Sequence, residues 1–229
     1  MTTQIVRWEP ARLPVAGGGS FPPRHVWCAG RNYAEHAHEM GATDVPQEPM
    51  FFSKPAAALT SSAKIAYPPK TTLLHHEVEL VVFMHSGGRR LSRAQAKQAI
   101  FGYAVGVDLT RRDVQTIAKQ AGHPWEMSKG FDQSAPLGQV VSAAGWQPQG
   151  DALIRLEIDG VVRQSARLGD MLFDVPELIA RLSATVTVNA GDVIFTGTPA
   201  GVGPLLPGQQ VRAMIDGLPA LDFVVEDRR

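Results

Sequence analysis

Several things that would narrow the function are missing from this sequence. A single cysteine, Cys28, leaves no internal disulfide and fits a reducing compartment. Neither sign of charge is in excess, with Lys+Arg and Asp+Glu both at 22, so net charge draws the chain toward neither nucleic acid nor a membrane surface. No apolar run approaches the roughly 20 residues that a bilayer span needs. Met1 to Pro10 carries charges and lacks the apolar centre of a signal peptide. Internal repeats, low-complexity tracts and charge blocks are absent, and the glycines of 197–203 have neither the spacing nor the following helix of a Walker A or dinucleotide motif. At 44% hydrophobic and 19% charged, the composition is that of a globular protein rather than a disordered one. The 229 residues suit a peripheral segment over 1–23, looped at Gly17-Gly18-Gly19-Ser20, and a single domain over 24–229. A soluble, cytoplasmic protein is expected.

What is present centres on His75-His76-Glu77-Val78-Glu79-Leu80-Val81-Val82-Phe83-Met84. Val78, Leu80, Val82 and Met84 alternate with the other positions, which predicts a β-strand over 75–84. Glu77 and Glu79 then share a face with Val81 and Phe83. Adjacent carboxylates repel, and on a buried face they need a partner such as a hard divalent cation. On the solvated face of an edge strand they need none.

Around this strand the chain reads mostly as β, with two or three helices and without the regular strand–helix alternation of a doubly wound sheet. His25–Gly30 is a strand. Residues 31–41 favour helix, with Gly41 as its stop, and place His36 and Glu39 at i, i+3. That pair is either a carboxylate-oriented general base or an incidental pair on a solvated face. Phe51–Pro55 is extended and carries Lys54, an anion contact or, as is commoner before proline, a surface residue. Leu91–Ile100 is a helix with Ser92 as N-cap. Phe101–Asp108 is a core strand ending in an acid, which is either a ligand or a helix cap, before a turn into helix near 109–115. Residues 122–133 are irregular, with Trp125, Met127 and Phe131 surrounding Lys129; that lysine either snorkels or is held near negative charge. Asp159-Gly160 marks a type I′ hairpin, Pro176 opens a helix over 175–182, and Val193–Thr196 is a strand. The loop 197–203 offers free backbone N–H groups and the Thr198 hydroxyl as a carboxylate cradle, or is a plain turn. Gln210 to Glu226 makes two more strands.

Glu77, Glu79 and Asp108 together form an all-oxygen ligand set, which fits Mg²⁺ or Mn²⁺ and less well Ca²⁺. An ion with open positions can chelate a substrate bearing adjacent oxygens. Lys129 or Arg112 could then neutralise an enolate, Thr198 could hold a carboxylate, and His36 with Glu39 could deprotonate water.

In this order the residues resemble the fumarylacetoacetate hydrolase family. The resemblance runs from Gly30-Arg31-Asn32-Tyr33-Ala34-Glu35-His36 and Glu39-Met40 through Phe52-Ser53-Lys54-Pro55, His75-His76-Glu77-Val78-Glu79, Gly102-Tyr103-Ala104 and Asp108-Leu109-Thr110. It continues with Arg112-Asp113-Val114-Gln115 and Ser128-Lys129-Gly130-Phe131, and closes with Gly191-Asp192-Val193-Ile194-Phe195-Thr196-Gly197-Thr198-Pro199 and Gly201-Val202-Gly203. It covers residues 24–226 and is closest to the short acylpyruvase branch, which lacks the additional N-terminal domain.

The resemblance implies an α+β, strand-dominated, mixed β-sandwich or roll, a catalytic role for the 24–229 domain, and a homodimer. It implies Mg²⁺ or Mn²⁺ on Glu77, Glu79 and Asp108, a water-activating His36/Glu39 dyad on a lid, and Lys129 beside the enolate. Arg112, Gln115, Thr198 and, more loosely, Lys54 become substrate contacts. The implied reaction is metal-dependent C–C hydrolysis of a 2,4-diketo acid through a metal-bound pyruvate enolate, with fumarylpyruvate from aromatic (gentisate) breakdown or acetylpyruvate as substrate. The same site could serve an oxaloacetate decarboxylase, or an isomerase or decarboxylase of an unsaturated dicarboxylate. A non-catalytic binder on the same fold would have no use for a water base.

Overall fold

The computed structural model describes residues 11–39, 41, 44 and 46–227. The readings that fall on Met1 to Pro10, Met40 and the last two arginines lie outside it. The main strands are β1 (Val26–Gly30), β2 (Met50–Lys54), β3 (Val78–Met84), β4 (Ile100–Val107), β5 (Leu153–Ile158), β6 (Val161–Arg167), β7 (Val193–Phe195), β8 (Gln210–Ile215) and β9 (Leu221–Glu226). The helices are α1 (Ala34–Glu39), α2 (Arg93–Gln98), α3 (Arg112–Ala121), α4 (Glu126–Lys129) and α5 (Val175–Thr185). Helices α1, α2, α3 and α5 fall where helix was read, and α4 orders part of the stretch read as irregular.

A six-stranded sheet runs in the order 141–142, β4, β3, β7, β1, β2, and a five-stranded sheet in the order β6, β5, β8, β9, 64–66. In the first sheet β7 pairs parallel to β1 and antiparallel to β3, so the fold is mixed as well as strand-dominated. β3 has no solvent face. Val78, Leu80, Val82 and Met84 enter a core shared with Ile154 and Leu156 of β5, Val211 and Ala213 of β8, and Ile179 of α5. Val81 and Phe83 enter a second core with Leu13, Phe21, Ala104 and Phe195. The period of two therefore serves two cores, one on each face. Each fully buried Val, Leu or Phe contributes roughly 1.5–3 kcal/mol, which offsets the cost of seating acids at the start of the strand. Leu13 and Phe21 come from the segment read as peripheral, where Leu13–Pro14 pairs with Ser20–Phe21.

The expected strand over 75–84 breaks at Glu77. Leu74–His76 pairs instead with Thr110–Arg111 and Gly203–Leu205 in a small separate sheet. At the break the Glu77 carbonyl accepts from Asp108 N–H at 2.8 Å, so the ends of β3 and β4 are tied where both acids begin. The Asp159-Gly160 hairpin is as read, with both residues at positive φ (51° and 77°). Ser92 caps α2 in a capping box, and Asp174 caps α5, with Pro in the first turn. No helix among the described residues is long and apolar enough to cross a membrane.

Candidate active site and metal centre

The C-terminal end of β1, strand β2, the start of β3, the loop after β7 and helices α1, α3 and α4 meet at one cavity. Its lining includes His36, Glu77, Glu79, Arg112, Gln115, Lys129 and Thr198. Glu77, Glu79 and Asp108 each bring a carboxylate oxygen to within 4.8 Å of the others, and all are buried.

Their balance of charge differs. Burial would raise the Glu77 carboxyl, but the Lys129 ammonium and the Arg112 guanidinium outweigh it and hold this acid well below the usual carboxylate range. Lys129 Nζ donates to Glu77 Oε2 at 2.7 Å, Asp108 Oδ2 at 2.6 Å and Thr110 Oγ1 at 2.7 Å, so its three hydrogens are all placed. Burial pulls the Lys129 ammonium down, but Asp108 and Glu77 together hold it above the ordinary lysine value. Arg112 pairs with Glu77 and with Gln115, and its Nε donates to His75 Nδ1 at 3.3 Å. His75, pushed down to about 4 by burial and by Arg112, is the neutral acceptor there.

Glu79 has no such support. Burial, then Asp108 and Glu77, push its carboxyl well above the ordinary value, and the opposing hydrogen bond comes from Gly197 N–H at 2.6 Å. Gly197 sits at φ 97°, with room for no side chain: an added Cβ would lie 2.7 Å from Asn32 Cβ. Asn32 in turn fixes this corner, donating to the Thr196 and Phe173 carbonyls and accepting from Phe173 N–H. On Asp108, Lys54 Nζ lies 2.8 Å from Oδ1 but off the line of a hydrogen bond, so that buried oxygen accepts none. An under-compensated carboxyl, and beside it a carboxylate oxygen that is ion-paired but accepts no hydrogen bond, make an all-oxygen cluster that a divalent cation would complete. The residues present fit such an ion.

On α1, His36 Nδ1 faces Glu39 Oε2 at 3.1 Å. The carboxylate takes the Nδ1 hydrogen, which leaves Nε2 as the free base. Glu39 Oε1 accepts from Gly201 N–H at 3.2 Å, so α1 is docked against the 197–203 loop. Two amides of that loop therefore serve the protein's own acids, Glu79 and Glu39, rather than standing free.

Two readings need correction. Lys54 is fully buried and lies behind Asp108, off the cavity wall; besides Asp108 it binds the Leu109, Lys129 and Ser134 carbonyls and Ser134 Oγ. It supports an acid rather than reaching into the cavity. Met127 does not surround Lys129: α4 turns Met127 out to 72% exposure and Lys129 in, and Phe52 from β2 provides the ring 5.0 Å from the ammonium. Sequence reasoning missed Asn32, and it missed Gln164, which joins His76, Val78, Thr198 and Pro199. Gln164 had no local signal, since its burial is set by partners far away in sequence, on β3 and the 197–203 loop.

Comparison with known proteins identifies the family. The family model described as Fumarylacetoacetate (FAA) hydrolase C-terminal matches residues 25–226. The oxaloacetate tautomerase YcgM of Escherichia coli (strain K12) is 43% identical over 213 residues, covering 92% of this chain and 94% of its own. The mitochondrial oxaloacetate decarboxylase of Dictyostelium discoideum is 38% identical over 197 residues, covering 85% and 90%. The crystal structure of fumarylpyruvate hydrolase from Pseudomonas aeruginosa in complex with Mn²⁺ and pyruvate is similar at a TM-score of 0.95 and 39% identity, covering 99% of this chain and all of that one. By sequence along nearly its whole length and by fold, the chain belongs to the fumarylacetoacetate hydrolase family.

Proposed function

We propose that the protein is a divalent-metal-dependent acylpyruvate hydrolase that cleaves a carbon–carbon bond of a 2,4-diketo acid such as fumarylpyruvate. The observation that carries this reading is that one cavity is lined by Glu77 and Glu79, whose cluster Asp108 completes from within the protein, and by His36, a base already oriented by the Glu39 carboxylate. The Pseudomonas neighbour with Mn²⁺ and pyruvate supports it. Bound to the three acids, Mg²⁺ or Mn²⁺ would supply Lewis-acid polarisation and a template for the 2-oxo acid end.

The chain's own residues do the rest. Arg112, Gln115 and Thr198 bind and orient the substrate's oxygens. His36 Nε2 takes a proton from water as the oxygen adds to the distal carbonyl, and Glu39 steadies the imidazolium. The bond between that carbonyl carbon and the methylene carbon breaks, and its electron pair passes to the pyruvate fragment as an enolate. Lys129 balances the enolate's charge. The proton on His36 returns to the methylene carbon, giving pyruvate and the second acid.

A second reading, oxaloacetate tautomerisation or decarboxylation, is favoured by the curated relatives. It uses the same acids and Lys129 and needs no attacking water. The family resemblance also carries a homodimer, which sedimentation equilibrium tests.

Assaying fumarylpyruvate, acetylpyruvate and oxaloacetate side by side, with Mg²⁺, with Mn²⁺ and in EDTA, separates the readings. The hydrolase reading expects pyruvate from the first two and none in EDTA. His36→Ala lowers hydrolysis by about 10²–10⁴-fold with Mn²⁺ affinity unchanged. Turnover confined to oxaloacetate, or full activity in EDTA, refutes it.

A further inference from the structure

Gln164 comes from β6, in the other sheet, and is 1% exposed. Its amide has all four hydrogen-bonding positions filled. Val78 N–H donates to Oε1 at 3.0 Å, and the Pro199 carbonyl accepts from Nε2 at 2.9 Å. The first partner can only donate and the second can only accept, so the amide has one orientation. Two consequences follow. His76 Nδ1, 2.9 Å from Oε1, carries a hydrogen. Thr198 Oγ1, 2.8 Å from Nε2, is an acceptor.

The Thr198 hydroxyl has one hydrogen to give. Its side chain is 2% exposed, and no acceptor among the described residues takes that hydrogen. The wall it stands on is the cavity wall, with Glu79 and Lys129. The loop cannot drift from β6 to loosen the contact without losing a tight fit: Gly201, at φ 92°, approaches so closely that a Cβ there would lie 2.1 Å from the Arg163 carbonyl oxygen.

We propose that Gln164 is a positioning residue for substrate: by donating to the Thr198 oxygen it turns the Thr198 hydroxyl hydrogen into the cavity, as a fixed donor for a substrate carboxylate oxygen. This rests on reading the cavity as a 2-oxo acid site. It makes the 198 position selective for an acceptor. Without Gln164 the hydroxyl is free to rotate and loses that preset direction, whereas the three acids keep their own partners.

The test is a double-mutant cycle on pyruvate binding to the Mn²⁺-loaded protein, measured by calorimetry for the parent, Thr198→Val, Gln164→Met and the double variant. Each single variant weakens pyruvate about tenfold or more, in line with a hydrogen bond to a charged group. The double variant binds pyruvate no more weakly than Thr198→Val alone, and Mn²⁺ affinity is the same in all four. Losses that multiply in the double variant, a Gln164→Met protein that binds pyruvate like the parent, or one that loses Mn²⁺ affinity, overturn the proposal while leaving the cavity reading intact. A Thr198→Val protein that binds pyruvate like the parent removes Thr198 from the substrate's contacts and the proposal with it. If Gln164→Met is too unstable to purify, Gln164→Glu replaces it. That variant keeps an acceptor for Val78 and His76 but pulls the Thr198 hydrogen back toward itself, and the same outcomes apply.

Discussion

Glu79 is the residue on which the site's conflict falls. Its folded pKa is raised, by burial and then by Asp108 and Glu77. The protonated form therefore stabilises the fold below the ordinary value of 4.5, and that contribution is lost as pH rises through the raised one. At pH 7 in EDTA, Glu79→Gln is expected to be more stable to urea than the parent, since the amide oxygen still accepts from Gly197 N–H and the repulsion is gone. In saturating Mn²⁺ the order reverses, because the parent gains about 2.7 kcal/mol at a hundredfold excess over Kd and the variant does not. A variant less stable in both conditions contradicts the account. Lys54 behaves in the opposite way. Lys54→Met leaves a buried Asp108 without its second cation and is expected to cost about 3–5 kcal/mol in urea unfolding. A variant as stable as the parent with only KM raised would return Lys54 to the substrate. Its burial was not legible locally: a lysine before proline looks exposed, and Asp108 arrives from more than fifty positions along the chain.

Among the elements, those with local signals were read directly. Asp159-Gly160 made its hairpin, Ser92 its cap, and the alternation of 78–84 its strand. The break at Glu77 was not legible, because it is set by the small sheet that Leu74–His76 makes with Thr110–Arg111 and Gly203–Leu205, two segments far away in sequence. Helix α4 was hidden for a similar reason: four residues carry too little periodicity, and only the acids that Lys129 meets fix which side turns inward. Helix α5 offers a test remote from the site. Asp174 accepts from Glu177 N–H at 3.0 Å and pairs with Arg93 of α2 at 2.5 Å. That ion pair is half exposed and contributes little, so the cap decides. Asp174→Ala is expected to cost about 1 kcal/mol in urea unfolding and to leave kcat unchanged; a loss of catalysis at full stability would speak against it.

For the molecule as a whole, the cavity residues were legible as a set through the order of their motifs, whereas the sheet order was not. Nothing in periodicity says that β7 slots between β3 and β1; the packing of two cores on β3 decides it. Because both cores share that strand, and the acids stand at its start, the protein is expected to melt in one transition that Mn²⁺ moves as a unit. At a hundredfold excess over Kd the 2.7 kcal/mol of linkage shifts Tm by about 5–10 °C for a chain of this size. Two transitions in calorimetry, one of them indifferent to the ion, would show that the cores unfold separately.

The enclosure of β3 on both faces also governs traffic. Glu77, Glu79 and Asp108 are only 5%, 2% and 0% exposed. Glu77 and Glu79 share the cavity wall with His36, Arg112, Gln115 and Thr198, so an organic acid seated against those side chains would stand between the carboxylates and any chelator in solution.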